Sequence, residues 1–212
     1  MKLVIFDLDG TLIDSAEDIA RSVNELREQM ARPPLPLEVI ASYIGNGVRV
    51  LLERSFDDGN LAALEEAYLP IYRRRLLDNT SVYPGVVEAL DVLQEDGRLL
   101  AVLTNKPLRE SLMILDGLGL RKHFRSVYGG DSFQHKKPDP TGVLHLLAEE
   151  GRSADEALFV GDSRVDLETA HNAGVRSCLV SHGIRPKASA AREPDFWIEN
   201  MRELTAIVGV GA

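Results

Sequence analysis

The chain alternates short apolar runs with longer segments in which apolar residues recur every three or four positions. The short runs, bounded by polar residues and turn formers, have the pattern of β-strands. We assign strands to LVIF (3–6), LLAVL (99–103), SVYG (126–129), ALFVG (157–161) and SCLV (177–180), and a short edge strand to FWI (196–198).

The segments between the later strands have the spacing of helices, which we place at 86–95, 108–118, 141–149 and 165–172. Strands that alternate with helices predict an α/β fold with a doubly wound parallel sheet. In such a sheet, binding and catalytic residues gather beyond the carboxyl ends of the strands.

One long segment after the first strand breaks this alternation. Helical spacing recurs at 15–30, 47–56 and 61–77, and ARPPLP (31–36) and DDGN (57–60) interrupt it. Asp14-Ser15 has the composition of a helix N-cap, and YPG (83–85) marks the return to the sheet. We therefore predict a core domain of residues 1–15 and 81–212, and a helical cap of residues 16–80.

The composition excludes several classes of protein. The formal net charge of −9 over 212 residues argues against nucleic-acid and membrane-surface binding, which require a basic face. A single cysteine, Cys178, cannot form an intramolecular disulfide. The N-terminus lacks the pattern of a signal peptide. We expect a cytoplasmic protein with no nucleic-acid partner and no membrane association.

Polar clusters follow four of the predicted strands. They are Asp7, Asp9 and Thr11 after LVIF, Thr104, Asn105 and Lys106 after LLAVL, Lys137 after SVYG, and Asp162 and Asp166 after ALFVG. Because the ends of parallel strands converge, these clusters would meet in one crevice. Their oxygen ligands suit Mg²⁺, which with Lys137 would offset the repulsion between Asp7 and Asp9.

The motifs DLDGT, TN, KP and GDSRVD occur in this order, and they resemble the four signature motifs of the haloacid dehalogenase (HAD) superfamily. The cap length and the stretches YIGNG, LLDNTSVYPGV and HKKPDP resemble its phosphoglycolate phosphatase-like members. The resemblance covers nearly the whole chain. It implies a HAD-like Rossmannoid core with a small all-helical cap, and Mg²⁺-dependent hydrolysis of a small phosphorylated metabolite.

The resemblance also implies the roles of the three aspartates. Asp7 would be the nucleophile that attacks phosphorus and forms an aspartyl-phosphate. Asp9 would be the general acid for the leaving alkoxide and then the base for the attacking water. Mg²⁺ would be bound by the carboxylate of Asp7, the backbone carbonyl of Asp9 and the carboxylate of Asp162.

Supporting roles follow from the same resemblance. Thr104 and the amide of Asn105 would hold the non-bridging phosphate oxygens, and Lys137 would neutralise charge on the nucleophile and the phosphoryl group. Asp166 would support the metal through water or orient Lys137, and Thr11 would be a further supporting residue.

The cap offers a candidate site for the leaving group. Backbone N–H groups at 45–47 and the guanidinium of Arg49 could grip a small anion such as a carboxylate, so we predict substrate contacts for Asn46 and Arg49. The alternative is that the glycines here only turn the chain between two helices. The run Arg73–Arg75 is expected to be a solvated helix face.

Several functions remain open at this point. We take 2-phosphoglycolate as the best single substrate; the alternatives are a sugar-phosphate mutase, a pyrophosphatase and, more distantly, a receiver-like phosphorylation switch. Asp9 argues against the dehalogenases of the superfamily, which lack this aspartate. Residues 16–80 contain no lysine, which argues against Schiff-base chemistry in the cap. The oligomeric state is open between monomer and dimer.

Overall fold

The computed structural model describes residues 1–57, 60–184 and 193–210, so two residues of the predicted DDGN break, 58 and 59, lie outside the described part. Six parallel strands form the central sheet in the order β5-β4-β1-β6-β7-β8. They are β1 (Leu3–Phe6), β4 (Leu99–Leu103), β5 (Ser126–Tyr128), β6 (Ala157–Gly161), β7 (Arg176–Val180) and β8 (Phe196–Ile198). The six strands predicted from the apolar runs are confirmed, with bounds that differ by one residue at two of them.

The strand order makes the sheet doubly wound. The chain starts at β1 in the middle, moves outward through β4 to β5, then crosses back to β6 and continues outward to β8. The direction of winding reverses between β1 and β6, and the crevice at such a reversal is where open α/β sheets bind their ligands.

Both faces of the sheet are covered, which is why its central strands are continuously apolar. In β1, Val4 and Phe6 point into one hydrophobic cluster and Leu3 and Ile5 into the other, and all four are fully buried. Helices α5 (Val86–Glu95), α6 (Leu108–Gly117) and α9 (Leu204–Val208) contribute to the first cluster, and α7 (Thr141–Glu149) and α8 (Arg164–Ala173) to the second. Helix α9, only five residues long, was not predicted.

Four helices lie between β1 and the rest of the sheet: α1 (Ala16–Gln29), α2 (Leu37–Ala41), α3 (Val48–Ser55) and α4 (Leu61–Arg75). Helix α1 packs on α2 and α4, and α3 packs on α4, so their apolar faces close on one another. The predicted fold class, an α/β sheet with a small helical cap, is confirmed. The short helix α2 was missed because it directly follows the proline-rich run ARPPLP, which has the composition of a turn.

The two connections between the helices and the sheet are paired. Strand β2 (Ile13–Asp14) lies antiparallel to β3 (Ser81–Val82), a two-residue ladder too short to show a periodic pattern in the sequence. Helix α1 begins where Asp14-Ser15 predicts, but Ser15 does not cap it. Its hydroxyl donates a hydrogen bond to Asp9 Oδ1 at 2.5 Å instead, so the first residue after the linker is tied to the sheet end.

Asp18, fully buried in the first turns of α1, joins the two linkers. Its carboxylate accepts hydrogen bonds from the backbone N–H and side-chain amide of Asn79, and from the backbone N–H and hydroxyl of Thr80, at 2.7–3.0 Å. Although burial acts to raise the pKa of Asp18, these hydrogen bonds outweigh it and hold the pKa below its ordinary value.

We expect Asp18→Asn to lower the free energy of unfolding by about 2 kcal/mol at pH 7, because an amide places its own donors against the N–H groups of residues 79 and 80. A carboxyl whose pKa is lowered by folding stabilises the folded state at pH values above the pKa that it has in the unfolded chain. This stabilisation is lost as the pH falls through the lowered pKa of the folded state. The difference between wild type and variant should therefore shrink below about pH 4. Urea unfolding at several pH values, with the exposed Asp116→Asn as control, measures it; a difference independent of pH would contradict the expectation.

Candidate active site

The predicted clusters meet at the carboxyl ends of β1, β4 and β6. Lys137, in the loop after β5, places its Nζ 2.9 Å from Asp7 Oδ1 and 2.6 Å from Asp166 Oδ1. All three side chains are buried, with at most 5% of each exposed. The lysine therefore bridges the aspartate after β1 and the one in the first turn of α8.

Burial and neighbouring charges act in opposite directions on the pKa values of Asp7 and Lys137. It raises the pKa of Asp7 to about 6, and the nearby Lys137 opposes the shift. Burial acts to lower the pKa of Lys137, but the charges of Asp166 and Asp7 outweigh it and raise that pKa, so the lysine stays protonated. One lysine faces several carboxylates here, and the site has an excess of negative charge.

The carboxylates are grouped as a divalent cation requires. One oxygen from each of Asp7, Asp162 and Asp166 lies within 4.8 Å of the others. Both oxygens of Asp166 already have partners, since Oδ1 accepts from Lys137 and Oδ2 accepts from the backbone N–H and hydroxyl of Ser163. The three carboxylates together offer the oxygen ligands that suit a hard cation such as Mg²⁺, and Asp166 in addition orients the lysine and begins α8.

Gly10 of the DLDGT motif lets the two strand ends approach. Its φ of +85° lies in the left-handed region, and a Cβ at this position would lie 2.2 Å from Asp162 Oδ2. Gly183 packs against the same aspartate, where a Cβ would lie 2.2 Å from Asp162 Cβ. The side chain of Asp162 therefore packs directly against the backbone of both glycines, and any larger residue at either position would clash with it.

The TN motif after β4 forms the adjacent wall. Thr104 and Asn105 are both buried, and the Asn105 side-chain amide donates to the backbone carbonyls of Gly45 and Lys137 at 3.0 Å each. This amide joins the strand end, the lysine loop and the helical insert. Thr11 is also fully buried, and its hydroxyl has no hydrogen-bond partner among the described residues.

Lys106 is the residue that sequence reasoning placed in a cluster but assigned no role. It is 7% exposed, and its Nζ lies 2.8 and 2.9 Å from the two carboxylate oxygens of Asp9. The ammonium also lies 4.8 Å from the ring centroid of Tyr72 on α4. Its position directly after Thr104-Asn105, at the same strand end as the other site residues, is a signal that could have identified it.

An inner cavity opens between the sheet ends and the cap helices. Its sheet side carries Asp7, Asp9, Thr104, Asn105, Lys106 and Pro107, and its cap side carries Ile19, Ile44, Gly45, Gly47, Val48, Leu51, Tyr68, Leu69 and Tyr72. A ligand that reaches Asp7 through this cavity would therefore lie between the sheet ends and the cap.

Two predicted cap residues lie outside the described wall of this cavity. Arg49 is exposed and pairs with Glu65 at 2.9 Å, and it lines an adjacent outer cavity with Lys136. Asn46 is half-buried beside Gly47. Substrate contact by Asn46 and Arg49 therefore stays a prediction, and the inner cavity places other residues nearer to Asp9.

The expectation for the arginine run was wrong at Arg73, which contacts the sheet domain. Its Nε lies 2.6 Å from Oε1 of the buried Glu110 on α6, while Arg74 and Arg75 pair with Glu25 on α1. The cap thus has a charged contact with the core in addition to the Asn105 amide.

In the described part of the chain, no helix has both the length and the apolar character to cross a membrane.

Curated relatives match nearly the whole chain. It is 39% identical over 212 residues to phosphoglycolate phosphatase 1 of Pseudomonas aeruginosa, covering 96% of this chain and 78% of the relative. It is 35% identical over 219 residues to phosphoglycolate phosphatase of Mannheimia succiniciproducens, covering 98% of both.

A solved structure and a family model agree with these relatives. A crystal structure described as a predicted phosphoglycolate phosphatase from Haemophilus somnus superposes with a TM-score of 0.93 at 30% identity, covering 98% of this chain and 97% of that one. The family model of the haloacid dehalogenase-like hydrolases matches residues 4–180. The chain therefore belongs to the haloacid dehalogenase-like hydrolase family.

Proposed function

We propose that the protein is a Mg²⁺-dependent phosphomonoesterase that hydrolyses a small phosphorylated metabolite, with 2-phosphoglycolate as the leading candidate. The contact of Lys137 Nζ with Asp7 Oδ1 at 2.9 Å, in a buried group of three carboxylates, is the observation that carries the proposal. The similarity to curated phosphoglycolate phosphatases supports the same substrate.

In the first half of the reaction, the carboxylate of Asp7 attacks phosphorus, and the bond from phosphorus to the leaving oxygen breaks. Asp9 donates its proton to that oxygen, so the leaving group departs as an alcohol. Lys137 neutralises charge on Asp7 and the phosphoryl oxygens, and Thr104 with the backbone N–H of Asn105 binds the non-bridging oxygens.

In the second half, Asp9 removes a proton from a water molecule, which attacks the phosphorus of the aspartyl-phosphate and releases inorganic phosphate. Asp7 is regenerated with its original carboxylate contacts. Asp7 and Asp162, together with the backbone carbonyl of Asp9, would hold Mg²⁺, which when bound supplies charge stabilisation for the phosphoryl oxygens.

The domain division at residues 15 and 80 is part of this proposal. The cap of residues 16–80 covers the inner cavity and would exclude bulk water during attack by Asp7, whereas opening about the paired linkers β2 and β3 would admit water for the second half. The contacts of Arg73 with Glu110 and of Asn105 with Gly45 hold the cap against the core.

The test is a screen for phosphate release from a panel of phosphorylated metabolites, with and without Mg²⁺. We expect sustained release from 2-phosphoglycolate, loss of release after chelation and recovery when Mg²⁺ is added back. A product that is an isomerised sugar phosphate would indicate a mutase, and cleavage of pyrophosphate alone would indicate a pyrophosphatase. A stable phosphorylated protein without turnover would contradict the proposal that the protein is a phosphomonoesterase.

A further inference from the structure

The wall of the inner cavity is divided by chemistry. Its charged side chains, Asp7, Asp9 and Lys106, belong to the sheet domain, whereas the described cap residues that line it are apolar, glycine or tyrosine. A leaving group that extends from Asp7 toward the cap therefore meets one ammonium group, that of Lys106, within this wall.

Lys106 occupies a specific place relative to the reacting atoms. Its Nζ contacts both oxygens of Asp9, the carboxyl group that would protonate the leaving oxygen. Glycolate has its carboxylate one carbon away from that oxygen. A substrate whose leaving oxygen lies against Asp9 thus has its second anionic group within reach of the same ammonium.

Tyr72 supplies a second polar group to the same part of the wall. It is 3% exposed, and its hydroxyl oxygen is buried with no hydrogen-bond partner among the described residues. Its ring stacks on that of Tyr68 at a centroid distance of 5.6 Å, which holds the side chain in place. A buried hydroxyl normally has a partner, so an unpaired one on a residue that lines the cavity is a donor that a ligand oxygen in the cavity could satisfy.

We propose that Lys106 and Tyr72 form the subsite for the anionic end of the leaving group, and that this subsite selects phosphomonoesters that carry a carboxylate close to the ester oxygen. The inference rests on the proposed function and names its specificity residues. The ammonium supplies charge, the Tyr72 hydroxyl supplies a directed donor, and the apolar cap wall restricts the leaving group to a short chain.

The predicted alternative for this role, Arg49, is less well placed. Its side chain is 63% exposed, its guanidinium pairs with Glu65, and it lines the outer cavity. An anion held there would be solvated and screened, whereas the buried ammonium of Lys106 acts in a low-dielectric site where a charged contact is stronger.

Tyr72→Phe separates binding of the carboxylate from the chemistry, because it leaves the Asp9–Lys106 contact intact. We compare 2-phosphoglycolate with ethyl phosphate, which has the same two carbons and no carboxylate. We expect kcat/KM to fall about tenfold for 2-phosphoglycolate, mainly through KM, and less than about twofold for ethyl phosphate. Tyr43→Phe, a cap tyrosine outside the described cavity wall, is the matched control.

Lys106→Met tests the charge. Removing the ammonium disturbs Asp9 and lowers kcat/KM for both substrates. In addition, the ratio of kcat/KM for 2-phosphoglycolate to that for ethyl phosphate should fall by a factor of about ten or more. Lys122→Met, at an exposed lysine that lines neither the inner nor the outer cavity, is the control for loss of a positive charge.

The outcomes distinguish the subsite from the phosphatase itself. A wild-type enzyme that hydrolyses both esters equally, or variants that keep the wild-type preference, would overturn the subsite and leave the proposed phosphatase intact. A wild-type enzyme that releases phosphate from neither ester, but from another metabolite of the panel, would overturn both the subsite and 2-phosphoglycolate as the substrate; release from no phosphomonoester would overturn the phosphatase as well. A loss of preference in both variants with unchanged circular dichroism spectra supports the subsite.

Discussion

Asp7→Asn is expected to abolish phosphate release, by a factor on the order of 10⁴ or more, while the protein stays folded. The amide has nearly the shape of the carboxylate but cannot attack phosphorus. Asp7 is 4% exposed and contacts Lys137, so a loss of activity in this variant can be assigned to chemistry only if the fold is intact.

The pKa of Asp7 predicts that the fold is intact. A carboxyl whose folded pKa is raised to about 6 is held in a site that disfavours its charge, so its ionised form reduces stability above that pH. In the absence of metal at pH 7, we therefore expect Asp7→Asn to unfold at the same or a higher denaturant concentration than wild type. Phosphate release and urea unfolding of the same preparation, with Asp116→Asn as control, measure both; residual turnover near the wild-type rate would show that Asp7 is not the nucleophile.

Lys137→Met is expected to reduce both activity and stability. The substitution removes the cation between Asp7 and Asp166 and leaves their carboxylates buried and repelling each other, which costs about 3–5 kcal/mol when one partner of a buried ion pair is deleted. Phosphate release should fall by on the order of 10³-fold, because the same charge stabilises the phosphoryl oxygens.

A double-mutant cycle separates these effects. Combining Lys137→Met with Asp7→Asn removes one of the two repelling charges, so the double variant should be more stable than Lys137→Met alone. Protonation of Asp7 as the pH falls below its raised pKa of about 6 should have a similar effect and reduce the stability difference from wild type. Equal destabilisation of the single and double variants would mean that Lys137 stabilises the fold by packing rather than by its charge, and Lys122→Met controls for the change in net charge.

The sheet could be predicted because its strands are buried on both faces. LVIF, LLAVL and ALFVG are continuous apolar runs, and the structure places them side by side as β1, β4 and β6, with β1 in the middle. The chemistry after these strands could also be predicted, since polar residues at the ends of parallel strands converge whatever the details of the helices. The ion pair between Lys137 and Asp7, which are 130 residues apart in sequence, follows from that topology.

The elements that escaped prediction are short. Helix α2 and helix α9 have five residues each, and β2 and β3 have two, so none is long enough to repeat the period of 3.6 or of 2 residues that identifies an element. The sequence pattern also did not indicate which side chains would be hydrogen-bond partners. Ser15 is a residue type typical of a helix N-cap, whose oxygen accepts from the first turn, but the folded chain brings Asp9 within 2.5 Å and the hydroxyl donates to that carboxylate instead.

Local pattern by itself determined the parallel α/β core, the helical insert and the set of acidic and basic residues at the strand ends, because each depends on neighbours within a few positions along the chain. Only the tertiary structure decided which cations line the inner cavity. Lys106 points inward because β4 ends beside Asp9, and Arg49 pairs outward because Glu65 lies on the adjacent helix. Such choices depend on distances between segments far apart in sequence, which periodicity and composition do not encode.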